Sequence, residues 1–295
     1  MKGFINKIQH YSTKDGPGIR STVFMVGCNL RCLWCANPES MLPGYKLIYN
    51  RQKCQRCCSC VRVFPDAVTM GKDGCIINRE KADFDRLCDI CPFEAYEKMG
   101  FWMESDELVR IMLRNKEFYG SSGGVTFSGG EALLQSEFIE ECMDKLHEKG
   151  IRVCIDTAGN LPWERIERVL KKADTVLFDL KVFDSSKHLQ LTGCDNRLIL
   201  ENLKKTDAMD KELYVRMIIV PEYNDDINDL KARIDFVRNF RSLRQIDFLK
   251  YHILGVGKYR QLGIEYPVKP VGEVSEELLK QLQEYCGDVR STVGG

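Results

Sequence analysis

Residues 27–35, Gly27-Cys28-Asn29-Leu30-Arg31-Cys32-Leu33-Trp34-Cys35, place three thiols in the spacing C-x3-C-x2-C. Three thiolates on one loop can bind three corners of a four-iron cube, which leaves the fourth iron without a protein ligand and open to a small molecule. A structural zinc site is the alternative, but it needs a fourth ligand nearby, and no Cys or His follows closely behind Cys35. The spacing therefore favours an iron–sulfur cluster with one open iron.

The abundance of cysteine beyond this loop also indicates metal binding. The chain has 14 cysteines in 295 residues, and most of them lie between Cys28 and Cys91. A chain of this size does not need disulfides to fold, and clustered cysteines in a reducing compartment typically bind metal. Four scattered cysteines are predicted to be ordinary buried thiols: Cys142, Cys154, Cys194 and Cys286.

Composition and charge exclude several classes of partner. The 43 basic and 43 acidic side chains give a net charge of zero, which provides no electrostatic footprint for nucleic acid or an anionic membrane. No run approaches the roughly 20 apolar residues of a membrane span, and residues 1–6 lack the apolar core of a signal peptide. We therefore predict a cytoplasmic protein with no membrane or nucleic-acid partner.

Helical and strand patterns alternate from Glu104 onward. A helix is predicted over 106–118 with Ser105 as its N-cap, and Pro162 is expected at the first position of a later helix. Strands are predicted near residues 21–27, 125–128, 152–156, 175–180, 213–220 and 246–253. Strands separated by helices of this length indicate βαβ units and a parallel sheet, and six of them favour an α/β fold with a partial (β/α)6 barrel.

Polar residue types cluster where these strands end. In barrels of this kind, loops at the carboxyl ends of the strands carry the chemistry. Cys28, the turn at 128–131, Asp156, Asp179 and His252 all fall at such ends. The sequence therefore predicts one site at that edge of the sheet.

At this point the motifs together resemble a known family. Tyr-Ser-Thr-Lys-Asp-Gly-Pro-Gly-Ile-Arg at 11–20 precedes the cysteine loop, and Ala-Asn-Pro-Glu-Ser at 36–40 follows it. This combination closely resembles the glycyl-radical-enzyme activating enzymes of the radical S-adenosylmethionine (SAM) superfamily, of which pyruvate formate-lyase activase is the best-known member. The resemblance covers nearly the whole chain and implies a radical SAM barrel.

The resemblance implies a cofactor and a reaction. Cys28, Cys32 and Cys35 would hold a [4Fe-4S] cluster whose open iron binds SAM through its amino and carboxylate groups. Electron transfer from the reduced cluster would cleave SAM to methionine and a 5′-deoxyadenosyl radical. The protein's part in such chemistry is to position the reactants and exclude side reactions.

The same resemblance assigns a first group of residues to SAM. Trp34 lies in the cluster loop, and Gly129, Gly130 and Glu131 resemble the family's GGE motif, whose backbone and carboxylate receive the SAM ammonium. Taken alone, two glycines after a strand indicate only a tight turn.

A second group lies at the ends of later strands. Asp156-Thr157 and Asp179 resemble motifs that meet the SAM ribose and carboxylate, and in relatives the aspartates and threonine also help to hold a monovalent cation. Lys181 follows Asp179 by two residues, so it is predicted on the same face as a partner for that carboxylate. The alternative for these residues is a set of solvated strand-end charges.

Two further residues match the family near SAM. Arg216 matches a family arginine, and His252 is similar to a strand-end histidine, although a lone histidine on a strand is also typical of a core. The run 255–260, Gly-Val-Gly-Lys-Tyr-Arg, superficially resembles a phosphate loop but lacks the third glycine, so no nucleotide-phosphate site is predicted.

The chain is predicted to have three parts: residues 1–44 (N-terminal core with the cluster loop), 45–103 (a ferredoxin-like insert) and 104–295 (the partial barrel). In the insert, Cys54, Cys57 and Cys60 match the start of the ferredoxin run C-x2-C-x2-C-x3-C-P, with Phe64 in the fourth slot. Cys91 resembles the end of a second run, whose other slots hold Lys81, Phe84 and Leu87.

This pattern keeps one complete ligand set. The fourth cysteine of each ferredoxin run ligates the other cluster, so Cys54, Cys57, Cys60 and Cys91 form one set and the second set is missing entirely. We predict one auxiliary [4Fe-4S] cluster, with the apolar side chains of Phe64, Phe84 and Leu87 filling the space that the missing second cluster would occupy.

Three insert cysteines fall outside this set: Cys58, Cys75 and Cys88. Cys88 is an alternative to Cys60 as a cluster ligand. The second alternative is zinc held by Cys54, Cys57, Cys88 and Cys91.

The predicted activity is removal of a hydrogen atom from a backbone glycine of a partner glycyl radical enzyme, with a ferredoxin or flavodoxin as the electron donor. Because flanking amides stabilise a glycine Cα radical, no catalytic acid or base is predicted, and catalysis depends on positioning. A radical SAM enzyme acting on a small molecule or RNA is the alternative. A plain ferredoxin-like carrier is disfavoured because it needs neither a barrel nor SAM motifs.

The identity of the partner is open at this stage. The insert disfavours pyruvate formate-lyase, because its activase is short and lacks one. Diol dehydratases, amine lyases and arylacetate decarboxylases remain as candidates.

The ligand assignment predicts the iron content. Anaerobically reconstituted protein should hold about eight irons in two four-iron clusters, and Cys91→Ala about four. Iron and zinc analysis of both proteins checks this. An iron content of about twelve per chain would mean that the insert holds a second cluster. One zinc per chain would mean that zinc occupies the auxiliary site instead of a cluster. Either result contradicts the assignment.

Overall fold

Thirteen β-strands lie among residues 1–294, the part of the chain that the computed structural model describes. In chain order they are β1 (Lys2–Ser12), β2 (Arg20–Met25), β3 (Lys46–Tyr49), β4 (Val68–Gly71), β5 (Gly74–Ile77), β6 (Tyr96–Met99), β7 (Phe101–Glu104), β8 (Gly124–Gly129), β9 (Arg152–Thr157), β10 (Thr175–Asp179), β11 (Glu212–Ile219), β12 (Leu243–Lys250) and β13 (Ser291–Gly294). Nine of them form one sheet in the order β13-β12-β11-β10-β9-β8-β2-β1-β7.

Helices separate most of the parallel strands. They are α1 (Ser59–Val63), α2 (Phe84–Ile90), α3 (Ser105–Leu113), α4 (Lys116–Tyr119), α5 (Ser136–Glu148), α6 (Trp163–Lys172), α7 (Ser185–Thr192), α8 (Arg197–Asp207), α9 (Ile227–Val237), α10 (Val256–Leu262) and α11 (Glu276–Cys286). Short 3-10 turns occupy 38–40, 132–135 and 253–255.

The predicted parallel sheet is confirmed and is larger than expected. Strands β2, β8, β9, β10, β11 and β12 are parallel neighbours, as the sequence predicted, and β13 adds a seventh parallel strand beside β12. β1 and β7 extend the other edge in antiparallel register. Parallel pairing brings the carboxyl ends of these strands to one edge of the sheet.

Several predicted element boundaries are wrong. The helix predicted over 106–118 begins at Ser105, with Glu104 as its N-cap, and ends at Leu113. The Asn115 side chain bonds Tyr11 and His10, and such side-chain bonds compete with a continuing helix. A new short helix, α4, follows.

Two other boundaries differ by a few residues. Pro162 is the N-cap of α6 and not its first residue, because its ψ of 132° is extended. β12 ends at Lys250, which lies opposite Ile219, the last residue of its neighbour β11, so His252 follows the strand instead of lying within it.

The chain has a large core and a separate small core. The large one lies between the parallel sheet and its helices, and it includes Cys142 and Cys286, as predicted for buried thiols. Cys154 is also buried. The prediction for Cys194 is wrong: it is only half-buried, since it lies in the loop after α7 and its Sγ accepts a hydrogen bond from Asn160.

The small core belongs to the predicted insert. Leu87 is fully buried in it, and Phe64 and Phe84 pack against it, beside Cys54, Cys60 and Cys91. The pairs β3–β6 and β4–β5 enclose this core. β7, which crosses the predicted boundary at residue 103, pairs with β1 in the main sheet.

Among residues 1–294, none of the helices has the length and apolar character required to span a bilayer.

The packing of the large core can be tested at Ile155 in β9, which has no exposed surface. Ile155→Ala should lower the free energy of unfolding by about 2–5 kcal/mol, because it removes apolar contacts and leaves a cavity. Ile253→Ala is the matched control, since Ile253 is 70% exposed and should change the value by less than about 0.5 kcal/mol. Urea denaturation measures both, and equal effects would contradict this packing.

Candidate active site

A cavity of about 850 Å³ lies at the carboxyl ends of the parallel strands. Every residue predicted for the SAM site and its cluster lines it: Cys28, Cys32, Trp34, Cys35, Gly129, Gly130, Glu131, Asp156, Thr157, Asp179, Lys181, Arg216 and His252. These residues come from five strands, or from the segments that directly follow them, and from one loop, so the fold brings together positions that are far apart in the sequence. The volume suits a small-molecule cofactor.

The cysteine loop is held from both sides by backbone hydrogen bonds. Gly27 and Cys28 donate to the carbonyls of Ser40 and Met41 at 2.8 and 2.9 Å. Further on, Arg31 and Leu33 donate to Thr192 and Leu191 at the end of α7, at 2.6 and 3.0 Å. These backbone bonds to segments on both sides give the loop a defined position.

The three thiols fit the ligand set of an iron–sulfur cluster. All are free cysteines that line the same cavity. Burial raises the pKa of the Cys28 thiol to about 11 and that of Cys32 to about 12, and it also raises the pKa of Cys35. Lys181 opposes this effect at Cys32. Because metal ligation requires the thiolate, cluster binding here must displace protons.

The glycines at the end of β8 are required by close backbone packing. A Cβ on Gly129 would lie 2.3 Å from the backbone nitrogen and oxygen of Met25, and one on Gly130 would lie 2.2 Å from the Gly27 carbonyl oxygen. Gly129 also has a φ of +118°, which favours glycine. The turn thus packs directly against the start of the cluster loop.

Glu131 is buried and joins the β8 turn to the loop after β9. Its Oε1 accepts hydrogen bonds from Thr157 Oγ1 at 2.7 Å and from the backbone of Leu133 at 3.1 Å, while Oε2 accepts from the backbone of Ala158 at 3.0 Å. Burial raises the pKa of Glu131 to about 7, although these bonds oppose the shift.

Four charged residues alternate in sign across β9, β11 and β10. Arg216 donates to Asp156, and it also donates to Asp179 at 2.8 Å. Lys181 Nζ lies 2.7 Å from Asp179 Oδ2, which confirms the predicted pairing. All four side chains are at most 23% exposed, so they are not solvated strand-end charges.

The two aspartates of this charge network, Asp156 and Asp179, differ in acidity. Burial raises the pKa of Asp156, which has one cationic partner and the Ser128 hydroxyl. Burial acts in the same direction on Asp179, but two cations, Arg216 and Lys181, outweigh it and lower its pKa. Asp156 therefore holds its negative charge less strongly.

Sequence reasoning missed a buried support under this site. Arg20 has no exposed surface, and its guanidinium donates to Thr126 Oγ1 at 2.6 Å and to the carbonyl oxygens of Pro17 and Val125. Thr126 in turn donates to the carbonyl oxygen of Asp15 at 2.7 Å. These bonds hold the segment 11–20 over the sheet; that segment is part of the resemblance, but nothing in the sequence assigned it this role.

The far wall of the cavity was also missed. Gln245 and Thr292 both donate to Asp247 Oδ1 at 2.5 Å, on β12 and β13. No recognisable motif marks these residues, and β13 was not predicted. His252, by contrast, is exposed at the mouth of the cavity and is not a core histidine.

The insert brings its predicted cysteines to one small cavity. Its lining includes Cys54, Cys57, Cys60 and Cys91, together with Cys58. Cys88 does not line this cavity, and Cys75 lies behind Cys60 with the two sulfurs 3.7 Å apart.

No group of three Cys, His, Asp or Glu side chains within residues 1–294 is arranged to hold a single metal ion. Cluster ligands are spaced around four irons and need not converge on one point.

Glu131 should give the protein a measurable pH dependence. A buried carboxyl whose pKa is raised from 4.5 to about 7 stabilises the fold while protonated, so its contribution is lost as pH rises through that interval. Relative to Glu131→Gln, wild-type protein should therefore lose unfolding free energy from about pH 4.5 to about pH 7. Urea titrations across this range measure the difference. A difference that does not change with pH would contradict the raised pKa.

Comparison with known proteins identifies the family. Residues 85–234, half of the chain, match the radical SAM superfamily model. Together with the parallel sheet, this match confirms the predicted partial radical SAM barrel.

Three curated relatives match nearly end to end. The choline trimethylamine-lyase activating enzyme of Oleidesulfovibrio alaskensis is 34% identical over 96% of this chain and 94% of its own length. The 4-hydroxyphenylacetate decarboxylase activating enzyme of Clostridium scatologenes is 36% identical over the same shares. The trans-4-hydroxy-L-proline dehydratase activating enzyme of Clostridioides difficile is 35% identical over 100% of both chains. The chain therefore belongs to the radical SAM superfamily and, within it, to the activating enzymes of glycyl radical enzymes.

Proposed function

We propose that this chain uses the cavity at the strand ends to bind SAM beside a [4Fe-4S] cluster on Cys28, Cys32 and Cys35, and to remove a hydrogen atom from a glycine of its partner. The observation that supports this assignment most strongly is that all thirteen predicted residues line one cavity. When bound, the cluster supplies the electron that cleaves SAM. The protein's own residues bind and orient the reactants.

We assign the polar residues to different parts of SAM. The turn at Gly129-Gly130-Glu131 lies against the cluster loop and would receive the ammonium group. Asp156, Thr157 and Asp179 would meet the ribose and carboxylate, with Arg216 and Lys181 as fixed cations. Trp34 is 5% exposed and packs against Val182 and Val220, so it would form a rigid wall. His252 would lie beside SAM at the mouth of the cavity.

A monovalent cation is proposed beside Asp156 and Thr157. The SAM carboxylate would add a negative charge next to Asp156, whose pKa is already raised by burial and by Asp179. A bound cation would offset this charge. Thr157 lines the same cavity.

We further propose that the insert holds one auxiliary [4Fe-4S] cluster through Cys54, Cys57, Cys60 and Cys91. The convergence of these cysteines on one cavity supports the set, and the absence of Cys88 from that lining disfavours the alternatives that use it. Cys57 is exposed, so this cluster would lie near the surface, where a ferredoxin or flavodoxin can deliver an electron.

The partner is proposed to be a glycyl radical enzyme of the amine-lyase, decarboxylase or dehydratase type. Relatives whose names give these three targets are 34%, 36% and 35% identical to this chain. The rival activity on RNA lacks support from charge, since the chain is neutral overall.

The activity can be tested with Cys32→Ala. Reduced wild-type protein should form 5′-deoxyadenosine from SAM, and with a matching partner it should produce a glycyl radical signal in electron paramagnetic resonance (EPR). Cys32→Ala should lose both, by at least about a hundredfold, because the cluster loses one of three ligands.

The matched control is Cys194→Ala, which removes a half-buried thiol that does not line the cavity. It should retain SAM cleavage. The partner assay should include one enzyme of each proposed type. SAM cleavage without a radical on any of them would favour the rival activity, and near wild-type cleavage by Cys32→Ala would overturn the cluster assignment.

A further inference from the structure

The run 255–260, which resembles a phosphate loop in sequence, packs on the cluster loop. Its last five residues begin helix α10, and Gly255 precedes them. A Cβ on Gly255 would lie 2.9 Å from Ala36 Cα and 3.3 Å from the carbonyl oxygen of Cys35. Gly255 is therefore required for close approach, whereas a Cβ on Gly257 would meet nothing within 4 Å.

A charged side chain fixes the same helix to the segment after the cluster loop. Lys258 Nζ donates to Asn37 Oδ1 and to Glu39 Oε1, each at 2.7 Å. Glu39 is 3% exposed, so this contact is shielded from water on one side. Together, Gly255 and Lys258 hold the first turn of α10 at the cysteine loop.

The next residue, Tyr259, carries a buried hydroxyl that has no hydrogen-bond partner. The side chain is 2% exposed, and its ring meets Tyr266 edge-on with centroids 4.9 Å apart. The hydroxyl of Tyr266 is already paired with that of Tyr251 at 2.9 Å. A buried, unpartnered hydroxyl is costly, and native structures seldom leave one without a role.

The surroundings of this hydroxyl indicate what it faces. The Tyr266 ring that Tyr259 meets packs in one apolar cluster with Cys32 and Trp34. Gly255, four residues before Tyr259, lies against the backbone of Cys35. Contacts on both sides of Tyr259 thus lead to two of the three proposed cluster ligands, and Tyr259 itself does not line the open cavity.

We propose that the Tyr259 hydroxyl donates a hydrogen bond to a sulfur of the cluster held by Cys28, Cys32 and Cys35, and so raises the reduction potential of that cluster. The inference rests on the proposed cluster site. Reduction adds negative charge to the cluster, and a donor directed at its sulfur stabilises the more negative state. Tyr259 would therefore make the cluster easier to reduce by the electron donor.

The test is a potentiometric titration of Tyr259→Phe, followed by EPR of the reduced protein. The signal that changes when SAM is added identifies the cluster at issue. We expect the ratio of reduced to oxidised cluster at a fixed potential to fall by roughly five- to tenfold, where tenfold corresponds to a downward shift of about 59 mV. Tyr266→Phe removes the hydroxyl that already has a partner and should leave the potential unchanged.

A second pair of variants decides the question if Tyr259→Phe fails to fold or to bind iron. Gly255→Ala should push α10 away from Cys35 and lower the potential while Tyr259 is kept. Gly257→Ala should not, because its Cβ meets open space. Iron content is measured alongside.

An unchanged potential in Tyr259→Phe overturns the proposal, as does an equal shift in Tyr266→Phe. If Tyr259→Phe gives no cluster, an unchanged potential in Gly255→Ala overturns it. These readings need no partner enzyme, so they are independent of whether a glycyl radical is formed.

Discussion

Four charges that alternate in sign across three neighbouring strands set the shape of the cavity. Asp156, Arg216, Asp179 and Lys181 are nearly buried, and each touches an opposite charge. Removing one member of such a buried network leaves its partners uncompensated, at a cost of about 3–5 kcal/mol. The parallel register makes the network possible, because it places Asp179 directly beside Arg216. Strand pairing and charge pairing therefore depend on each other.

The cluster loop is coupled to this network by short contacts. Lys181 bonds Asp179 and also lies close enough to Cys32 to oppose the rise that burial causes in the pKa of that thiol. On the other side, Gly130 packs against the Gly27 carbonyl, and Glu131 ties the same turn to Thr157. One continuous wall is thus formed by the loop, the glycine turn and the strand ends. A change in the position of one of these elements therefore affects the positions of the others.

The sequence was sufficient to predict which residues meet at one edge of the sheet, because these residues follow local rules. Cys28 and Asp179 stand directly after apolar runs, and parallel strands bring such positions to one edge. What it could not predict depends on contacts between distant segments. β13 and its neighbour Asp247 carry no motif. Tyr259 looks like an ordinary helical residue until the fold packs the start of its helix against Cys35. The end of α3 likewise depends on the side chain of Asn115 meeting β1.

The backbone bonds that hold the cysteine loop at Met41 and Thr192 have a consequence for the binding of the cofactor. The conformational entropy of this loop is lost when the chain folds, and not when the cluster binds. The cluster would then bind to a loop whose backbone is already ordered, and each thiol would only have to release its proton. Backbone bonds to Met41 and Thr192 would hold the loop in position independently of the bonds that its thiols make to iron. In this respect the loop differs from small metal domains, which unfold when their ion leaves.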